Sequence, residues 1–138
     1  LKLKEGKKSI LEGVPKSLPA MIKASRIQDK AASAGFDWEE PGQVFEKVKE
    51  ELAELQEEIA ADKQEKIESE FGDVLFSLIN FSRFIKVDPE SALERTNKKF
   101  IKRFEYLESE ARKNGESLHE LTLEQMDVYW NKSKELFS

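Results

Sequence analysis

The chain of 138 residues has no cysteine and a single histidine, His119. Without thiols it can form neither disulfides nor thiolate metal sites, and this usage fits a reducing compartment, so we expect a cytoplasmic protein. One histidine is too few for a histidine-based metal centre, and a Ser-His-Asp triad has almost nothing to work with. These absences exclude the commonest metal and nucleophilic centres that depend on cysteine or histidine.

Long apolar runs are also missing, and no segment approaches the length needed to cross a membrane. The first eight residues are polar and unlike a signal peptide. The chain starts at Leu1 rather than Met, so we expect it to be part of a longer protein. With a net charge of −5, it has no electrostatic mark of a nucleic-acid binder. We therefore expect neither a membrane nor a nucleic-acid polymer as a partner.

No stretch alternates between apolar and polar residues over a useful length, so we expect no β-sheet. Apolar residues instead recur at helical spacing, bounded by start signals such as Asp88-Pro89 and stop signals such as Gly35. The pattern predicts five helices, at about residues 17–34, 44–61, 63–85, 88–113 and 122–136. The predicted fold class is all-α, a helical bundle of about five helices.

The predicted domain covers residues 15–138, and we interpret residues 1–14 as a linker or frayed N-terminal segment. Residues 36–42 read as an aromatic loop. The third helix carries apolar residues on more than one face, since Phe76, Phe81 and Phe84 fall off its main stripe. An extra apolar face is often covered by a second subunit, so we expect a homodimer. The alternative is a monomer with a larger internal core.

The main apolar stripes predict the buried face of each central helix. In the second helix the stripe consists of Val48, Leu52, Leu55 and Ile59. In the third helix it consists of Ile67, Phe71, Val74, Leu75, Leu78 and Ile79. In the fourth helix it consists of Leu93, Asn97, Phe100, Phe104, Leu107 and Ala111.

Two acidic clusters stand about 20 positions apart, EELAE at residues 50–54 and EFGD at residues 70–73. Glu51 and Glu54 share one helical face, as do Glu70 and Asp73, because each pair is spaced i, i+3. If the two helices lie antiparallel, four carboxylates converge on a site that suits Mg²⁺, with Mn²⁺ as a possible substitute. Ferritin-like iron sites need Glu-x-x-His pairs, which are absent. A single E-x-x-E pattern is weak, since solvated helix surfaces contain many.

Cationic and aromatic residues in the second half suit a phosphate-rich ligand. Lys99 and Arg103 are spaced i, i+4 off the apolar stripe, and Trp130 and Lys134 have the same spacing. A ring beside a cation offers stacking to a base and charge to a phosphate. The alternatives are a solvated face for the two cations and core packing for Trp130. The glycine-rich loop of P-loop NTPases is absent.

Over residues 10–136 the chain resembles the MazG family of all-α nucleoside triphosphate pyrophosphohydrolases. The motifs that carry the resemblance are GVPKSLPA at 13–20, GFDW at 35–38, KVKEELAEL at 47–55, EFGDVLF at 70–76, NKKF at 97–100 with Arg103 and Phe104, and Trp130 with Lys134. The paired E-E-x-x-E and E-x-x-D patterns are the family hallmark. One departure is Ser69, where many relatives carry another acid, and we expect only a minor effect.

The resemblance implies an enzyme that hydrolyses an NTP or dNTP to NMP and pyrophosphate with Mg²⁺, by attack of a metal-activated water at the α phosphate. It implies that Glu51, Glu54, Glu70 and Asp73 hold metal. It implies nucleotide contacts from Lys47, Lys66, Lys99, Arg103, Trp130 and Lys134. Glu50 would orient water or a ligand, and Asn80 is a lesser candidate for contacting base or sugar.

The resemblance also implies a dimer, and its opening motif is that of the second domain of tandem family members. Two further interpretations stay open. One is an enzyme with a narrower substrate, such as dUTP or a modified, house-cleaning nucleotide. The other is a non-catalytic helical dimerisation module whose acidic residues are only a surface feature.

Overall fold

The computed structural model describes residues 9–138, and the first eight residues of the predicted linker lie outside that range. The described residues form five α-helices, two short 3-10 turns and no strand. The helices are α1 (Ala20–Ser33), α2 (Pro41–Ala61), α3 (Gln64–Phe84), α4 (Pro89–Lys113) and α5 (Leu123–Leu136). The predicted all-α fold of five helices is confirmed. None of these described helices has both the length and the apolar character that a membrane crossing requires.

Most helix ends coincide with the local signals in the sequence. Gly35 (φ +97°) and Gly115 (φ +69°) follow α1 and α4 in the left-handed conformation that glycine adopts at little cost. Thr122 and Gln125 form the expected capping box at the start of α5. In it, Gln125 N donates to Thr122 Oγ1 at 3.1 Å, and Thr122 N donates to Gln125 Oε1 at 2.8 Å.

The start of α2 differs from the prediction. The helix begins at Pro41 rather than near residue 44, so Pro41 and Gly42 belong to the helix and not to the aromatic loop. Proline fits the first helical turn because its missing N–H would be unpaired there anyway. The side chain of Gln43 reaches back and accepts hydrogen bonds from the backbone N of Glu39 and Glu40, both at 3.2 Å.

The chain divides into two compact units, one up to Glu90 and the other Ser91–Ser138. In the first unit α2 and α3 pack along each other, and α1 packs on α3. Asp62, with φ of 56°, ends α2 in the left-handed conformation and turns the chain into α3. Phe45 of α2 lies against Phe81 of α3, with 5.3 Å between ring centroids. Further along α2, Glu51 meets Glu70 and Asp73, which come before Phe81 in α3, so the two helices are antiparallel.

The second unit is built from most of α4 together with α5. Leu107 and Ala111 of α4 are buried, as is Ser133 of α5. The rings of Phe100 and Trp130 lie 5.2 Å apart between centroids. Aromatic contact therefore joins the two helices within this unit.

The predicted buried faces are only partly right. Val44, Val48, Val74 and Ile79 are buried as core residues of α2 and α3. However, five large side chains of the predicted stripes in α2 and α3 are 43% to 54% exposed. They are Leu52, Ile59, Phe71, Leu75 and Leu78. In α4, Leu93 and Phe100 are likewise exposed. Periodicity marks an apolar face but does not say whether the same chain covers it, which explains the error.

Candidate active site

Three carboxylates meet between α2 and α3. Glu51 of α2 and Glu70 and Asp73 of α3 each place a carboxylate oxygen within 4.8 Å of the others. The two residues of α3 are three positions apart, so both project from the same face of the helix. These three residues are called the acidic cluster. The antiparallel pairing of the two helices thus brings together carboxylates that are about 20 positions apart in sequence.

Glu54, the fourth predicted ligand, contacts the cluster from one turn further along α2. The charge of Glu54 acts on Glu70, so the two carboxyl groups lie close to each other. The pKa of Glu70 is raised above its ordinary value, first by burial and then by the charges of Glu54, Asp73 and Glu51. Full ionisation of these carboxyl groups is therefore unfavourable, because their negative charges repel one another.

Two oxygens of the cluster have no hydrogen-bond partner. Glu51 Oε2 and Glu70 Oε2 are shielded from solvent and neither accepts a hydrogen bond, while Glu51 as a whole is only 6% exposed. A buried carboxylate oxygen without a partner is costly, and a divalent cation removes that cost. The oxygen-only donor set is the one that Mg²⁺ prefers. These residues therefore fit a hard divalent cation.

Lys47, a predicted nucleotide contact, lies against the cluster. Its ammonium nitrogen is 2.8 Å from Glu51 Oε1 and 3.6 Å from Glu50 Oε1. The hydrogen bond to Glu51 is the main reason that the pKa of Lys47 is raised. Glu50 itself is exposed, on the outer side of this group. Lys66 is exposed on α3, four positions before Glu70.

The remaining predicted nucleotide contacts belong to the second unit. Arg103 Nε donates a hydrogen bond to the carbonyl oxygen of Phe137 at 2.8 Å, so this guanidinium also holds the end of α5. Trp130 is half-buried against Phe100, and Lys134 is exposed. Lys99 is partly buried on α4. Their contact with a nucleotide stays a prediction.

A cavity of about 460 Å³ lies in the first unit, between α1, α3 and the loop that follows α1. Phe76, Asn80 and Arg83 of α3 form part of its wall, with Phe36 and Trp38 from the loop. Asp73, Phe76 and Asn80 are spaced three and four positions apart, so they share one face of α3. Two residues of the cavity wall therefore lie on the face of α3 that also carries Asp73.

Gln28 was missed by the sequence analysis as a cavity residue. It is 6% exposed, its Nε2 donates to the carbonyl oxygen of Phe76 at 3.0 Å, and its Oε1 has no hydrogen-bond partner. The signal in the sequence is a polar residue four positions after the buried Ala24, at a core position of α1. Arg83 was missed as well, although it stands three positions after Asn80.

Comparison with known proteins places these features in a family. Residues 39–107, which are 69 of the 138 residues and half of the chain, match the MazG nucleotide pyrophosphohydrolase domain. The match includes all three residues of the acidic cluster, together with Glu54 and Lys47.

Three relatives illustrate the similarity. The nucleoside triphosphate pyrophosphohydrolase/pyrophosphatase MazG of Thermotoga maritima is 50% identical over 117 residues, covering 85% of this chain and 45% of the relative. The nucleoside triphosphate pyrophosphohydrolase of Escherichia coli K12 is 38% identical over 128 residues, covering 91% and 49%. The uncharacterized protein YabN of Bacillus subtilis is 47% identical over 128 residues, covering 92% and 26%. The chain thus spans about half the length of the first two relatives, and it belongs to the MazG nucleotide pyrophosphohydrolase domain family.

Proposed function

We propose that this chain is a Mg²⁺-dependent nucleoside triphosphate pyrophosphohydrolase that converts an NTP or dNTP to NMP and pyrophosphate. The observation that carries the proposal is the acidic cluster, with two buried carboxylate oxygens that lack partners. The activity named for the relatives from T. maritima and E. coli supports the same reaction.

Glu51, Glu70 and Asp73 would hold the metal ion, with Glu54 beside them. The chemistry supplied by a bound Mg²⁺ at these carboxylates is activation of a water and neutralisation of phosphate charge, and Mn²⁺ would substitute for it. NMP and pyrophosphate form when the phosphoanhydride between the α and β phosphates is cleaved; in our proposal water attacks the α phosphorus, and pyrophosphate is the leaving group. Glu50, on the outer side of the cluster, would orient water or a ligand.

Cationic and aromatic side chains would bind the rest of the nucleotide. Lys47 would exchange its contact with Glu51 for a phosphate oxygen. Lys66, on the same helix as Glu70, would also contact the nucleotide. In the second unit, Lys99, Arg103 and Lys134 would contact phosphates and Trp130 would stack. The cavity would take the nucleoside, because Phe76 and Asn80 of its wall share a face of α3 with Asp73.

A homodimer is part of the proposal. Phe71, Leu75 and Leu78 are spaced four and three positions apart on α3 and are all more than 40% exposed. Burying a large apolar side chain contributes about 1.5 to 3 kcal/mol, so a second copy that covers this stripe would gain substantially. Light scattering coupled to gel filtration tests the dimer, and the monomer mass at micromolar concentration would contradict it. A cytoplasmic location remains a prediction from the sequence.

The activity is tested by product analysis with a panel of NTPs and dNTPs, with and without Mg²⁺, followed by ³¹P NMR. We expect NMP and pyrophosphate, formed only when the metal is present. The variant Glu70→Gln, prepared in parallel, serves as the metal-site control. Release of orthophosphate and NDP would contradict the proposed bond cleavage.

The same panel separates the alternatives. Turnover of a single dNTP or of a modified nucleotide would favour a narrower house-cleaning pyrophosphatase. Absence of both turnover and a Mg²⁺-dependent thermal shift would favour a non-catalytic helical dimerisation module.

A further inference from the structure

The side chain of Arg83 joins three segments of the first unit. Its Nη2 is 2.9 Å from Asp37 Oδ2, and its Nη1 is 3.3 Å from Asp37 Oδ1, so the guanidinium forms a bidentate contact with this carboxylate. Its Nε donates to Asp29 Oδ1 of α1 at 3.1 Å, and its Nη1 donates to Asn80 Oδ1 at 2.6 Å. A two-point contact between guanidinium and carboxylate fixes orientation as well as distance.

The loop between α1 and α2 depends on this contact. Hydrogen bonds to α1 hold the loop as far as Phe36, whose N donates to the carbonyl oxygen of Ala31 at 3.0 Å. At the other end, the backbone N of Glu39 is held by Gln43. Between these points Asp37 is the residue tied to α3, and it also accepts from the backbone N of Trp38 at 2.9 Å. The ion pair therefore ties the middle of this loop, next to Trp38, to α3.

The aromatic side chains on the loop are not held by burial. Phe36 is 84% exposed and Trp38 is 44% exposed, although both line the cavity. Phe36 therefore gains little packing energy that would keep its ring in one place, and burial covers only about half of Trp38. Arg83, in contrast, has a side chain that is only 18% exposed, so its pairing with Asp37 is less screened than a surface ion pair.

We propose that Arg83 is a positioning residue that, through Asp37, holds Trp38 in the wall of the cavity and so sets the affinity for the nucleoside part of the substrate. This inference rests on the proposed function, since it takes the cavity as the nucleoside site. Arg83 then takes no part in breaking the phosphate bond. Its loss affects how tightly a substrate binds and leaves the chemical step largely intact.

Kinetics with the NTP that wild type turns over best, at saturating Mg²⁺, give the first test. For Arg83→Met and Asp37→Asn we expect KM to rise about tenfold, the size of one charged, oriented contact, with kcat changed less than about threefold. Arg83→Lys keeps the positive charge but not the planar pair of nitrogens that contacts Asp37. Its KM should therefore lie between those of wild type and Arg83→Met. Asp29→Asn is the matched control, because it removes a carboxylate from the same guanidinium without touching the loop. It should leave KM within about twofold of wild type.

A second readout follows the loop directly and needs no turnover. The chain has two tryptophans, Trp38 and Trp130. In a Trp130→Phe background, acrylamide quenching of fluorescence therefore reports on Trp38 alone. Arg83→Met and Asp37→Asn should each raise the quenching constant about twofold, and the double variant should not exceed the larger single effect, because both remove one contact.

Three outcomes overturn the proposal. The first is unchanged quenching in a folded Arg83→Met protein, as judged by its circular dichroism. The second is a fall in kcat with KM unchanged, which would place Arg83 at the reacting atoms. The third is an Asp29→Asn effect as large as that of Asp37→Asn. If Arg83→Met does not fold, Asp37→Asn decides the matter, since it leaves Arg83 paired with Asp29 and Asn80. If wild type turns over no NTP, the proposed function fails, and quenching still decides whether Arg83 holds the loop.

Discussion

The ammonium nitrogen of Lys47 lies 2.8 Å from Oε1 of Glu51, one turn away on the same helix. The contact places a cation beside the oxygens that the proposed metal ion would use. Lys47 therefore partly neutralises the acidic cluster, and in the proposed function a bound metal would release it to contact a phosphate. Mg²⁺ should therefore make Lys47 less important for the stability of the fold and more important for binding the substrate.

Replacing Lys47 by Met should lower the free energy of unfolding by about 0.5 kcal/mol without metal, since the residue is partly exposed and spaced i, i+4 from its partner. Saturating Mg²⁺ should shrink this difference, because the cation takes over the neutralisation. Urea unfolding with and without Mg²⁺ measures both values. Lys49→Met, which removes a comparable pair with Glu46, should show no such dependence on metal. An equal loss under both conditions would argue against a metal at this position.

Removing one carboxylate of the cluster should weaken metal binding. In Asp73→Asn the loss of a charged ligand should weaken Mg²⁺-dependent stabilisation and lower pyrophosphate release at least about 100-fold, since even outer partners of metal sites are worth 10-fold to 100-fold. Thermal unfolding against Mg²⁺ concentration and a turnover assay give the two readings. Glu68→Gln, an exposed acid on the same helix, is the control and should behave as wild type. A retained Mg²⁺ shift in Asp73→Asn would show that the metal sits elsewhere.

Glu54 should be less critical for metal affinity than the acidic cluster, because it contacts Glu70 from outside that group of three. Glu54→Gln should reduce pyrophosphate release from ATP about 10-fold to 100-fold, with a smaller change in Mg²⁺ affinity. Turnover at several Mg²⁺ concentrations separates the two effects. Wild-type rates in this variant would remove Glu54 from the mechanism.

Asp37 should make stability depend on pH at the acid end. The hydrogen bond from Arg83 is the main cause that holds the pKa of Asp37 below its ordinary value of 3.8. A carboxyl whose pKa is lowered by folding stabilises the protein above its unfolded pKa, and this stabilisation is lost as pH falls through the folded pKa. The difference in unfolding free energy between wild type and Arg83→Met should therefore be constant near neutrality and shrink below pH 3.8. Urea unfolding between pH 7 and pH 3 tests this, and a difference that grows towards acid would contradict it.

Substitutions of Arg103 and Lys99 should differ in their effect on the free energy of unfolding. Arg103→Met removes the hydrogen bond to the carbonyl oxygen of Phe137, so it should lower stability by about 1 kcal/mol as well as reduce turnover. Lys99→Met should reduce turnover with little change in stability. Urea unfolding and kinetics on both variants make the comparison. Equal stability of the two would mean that the Arg103 contact adds nothing to the folded state.

Most helix ends and the separate halves of the acidic cluster were predictable from the sequence because both depend on neighbours along the chain. Gly35 and Gly115 end helices through their own backbone freedom, and Thr122 caps α5 with a residue three positions away. Likewise Glu70 and Asp73 share a face because of helical geometry alone. The family motif then identified which carboxylates to expect together.

Tertiary structure alone decided which apolar residues became core and what formed the cavity. Leu75 and Val74 are adjacent and both apolar, yet Val74 is buried and Leu75 is 43% exposed, because only packing against another helix distinguishes their two faces. Arg83 meets Asp37 across 46 positions, and Gln28 meets Phe76 across 48. Such contacts follow from how antiparallel and neighbouring helices dock, a long-range arrangement that no local spacing of residues specifies.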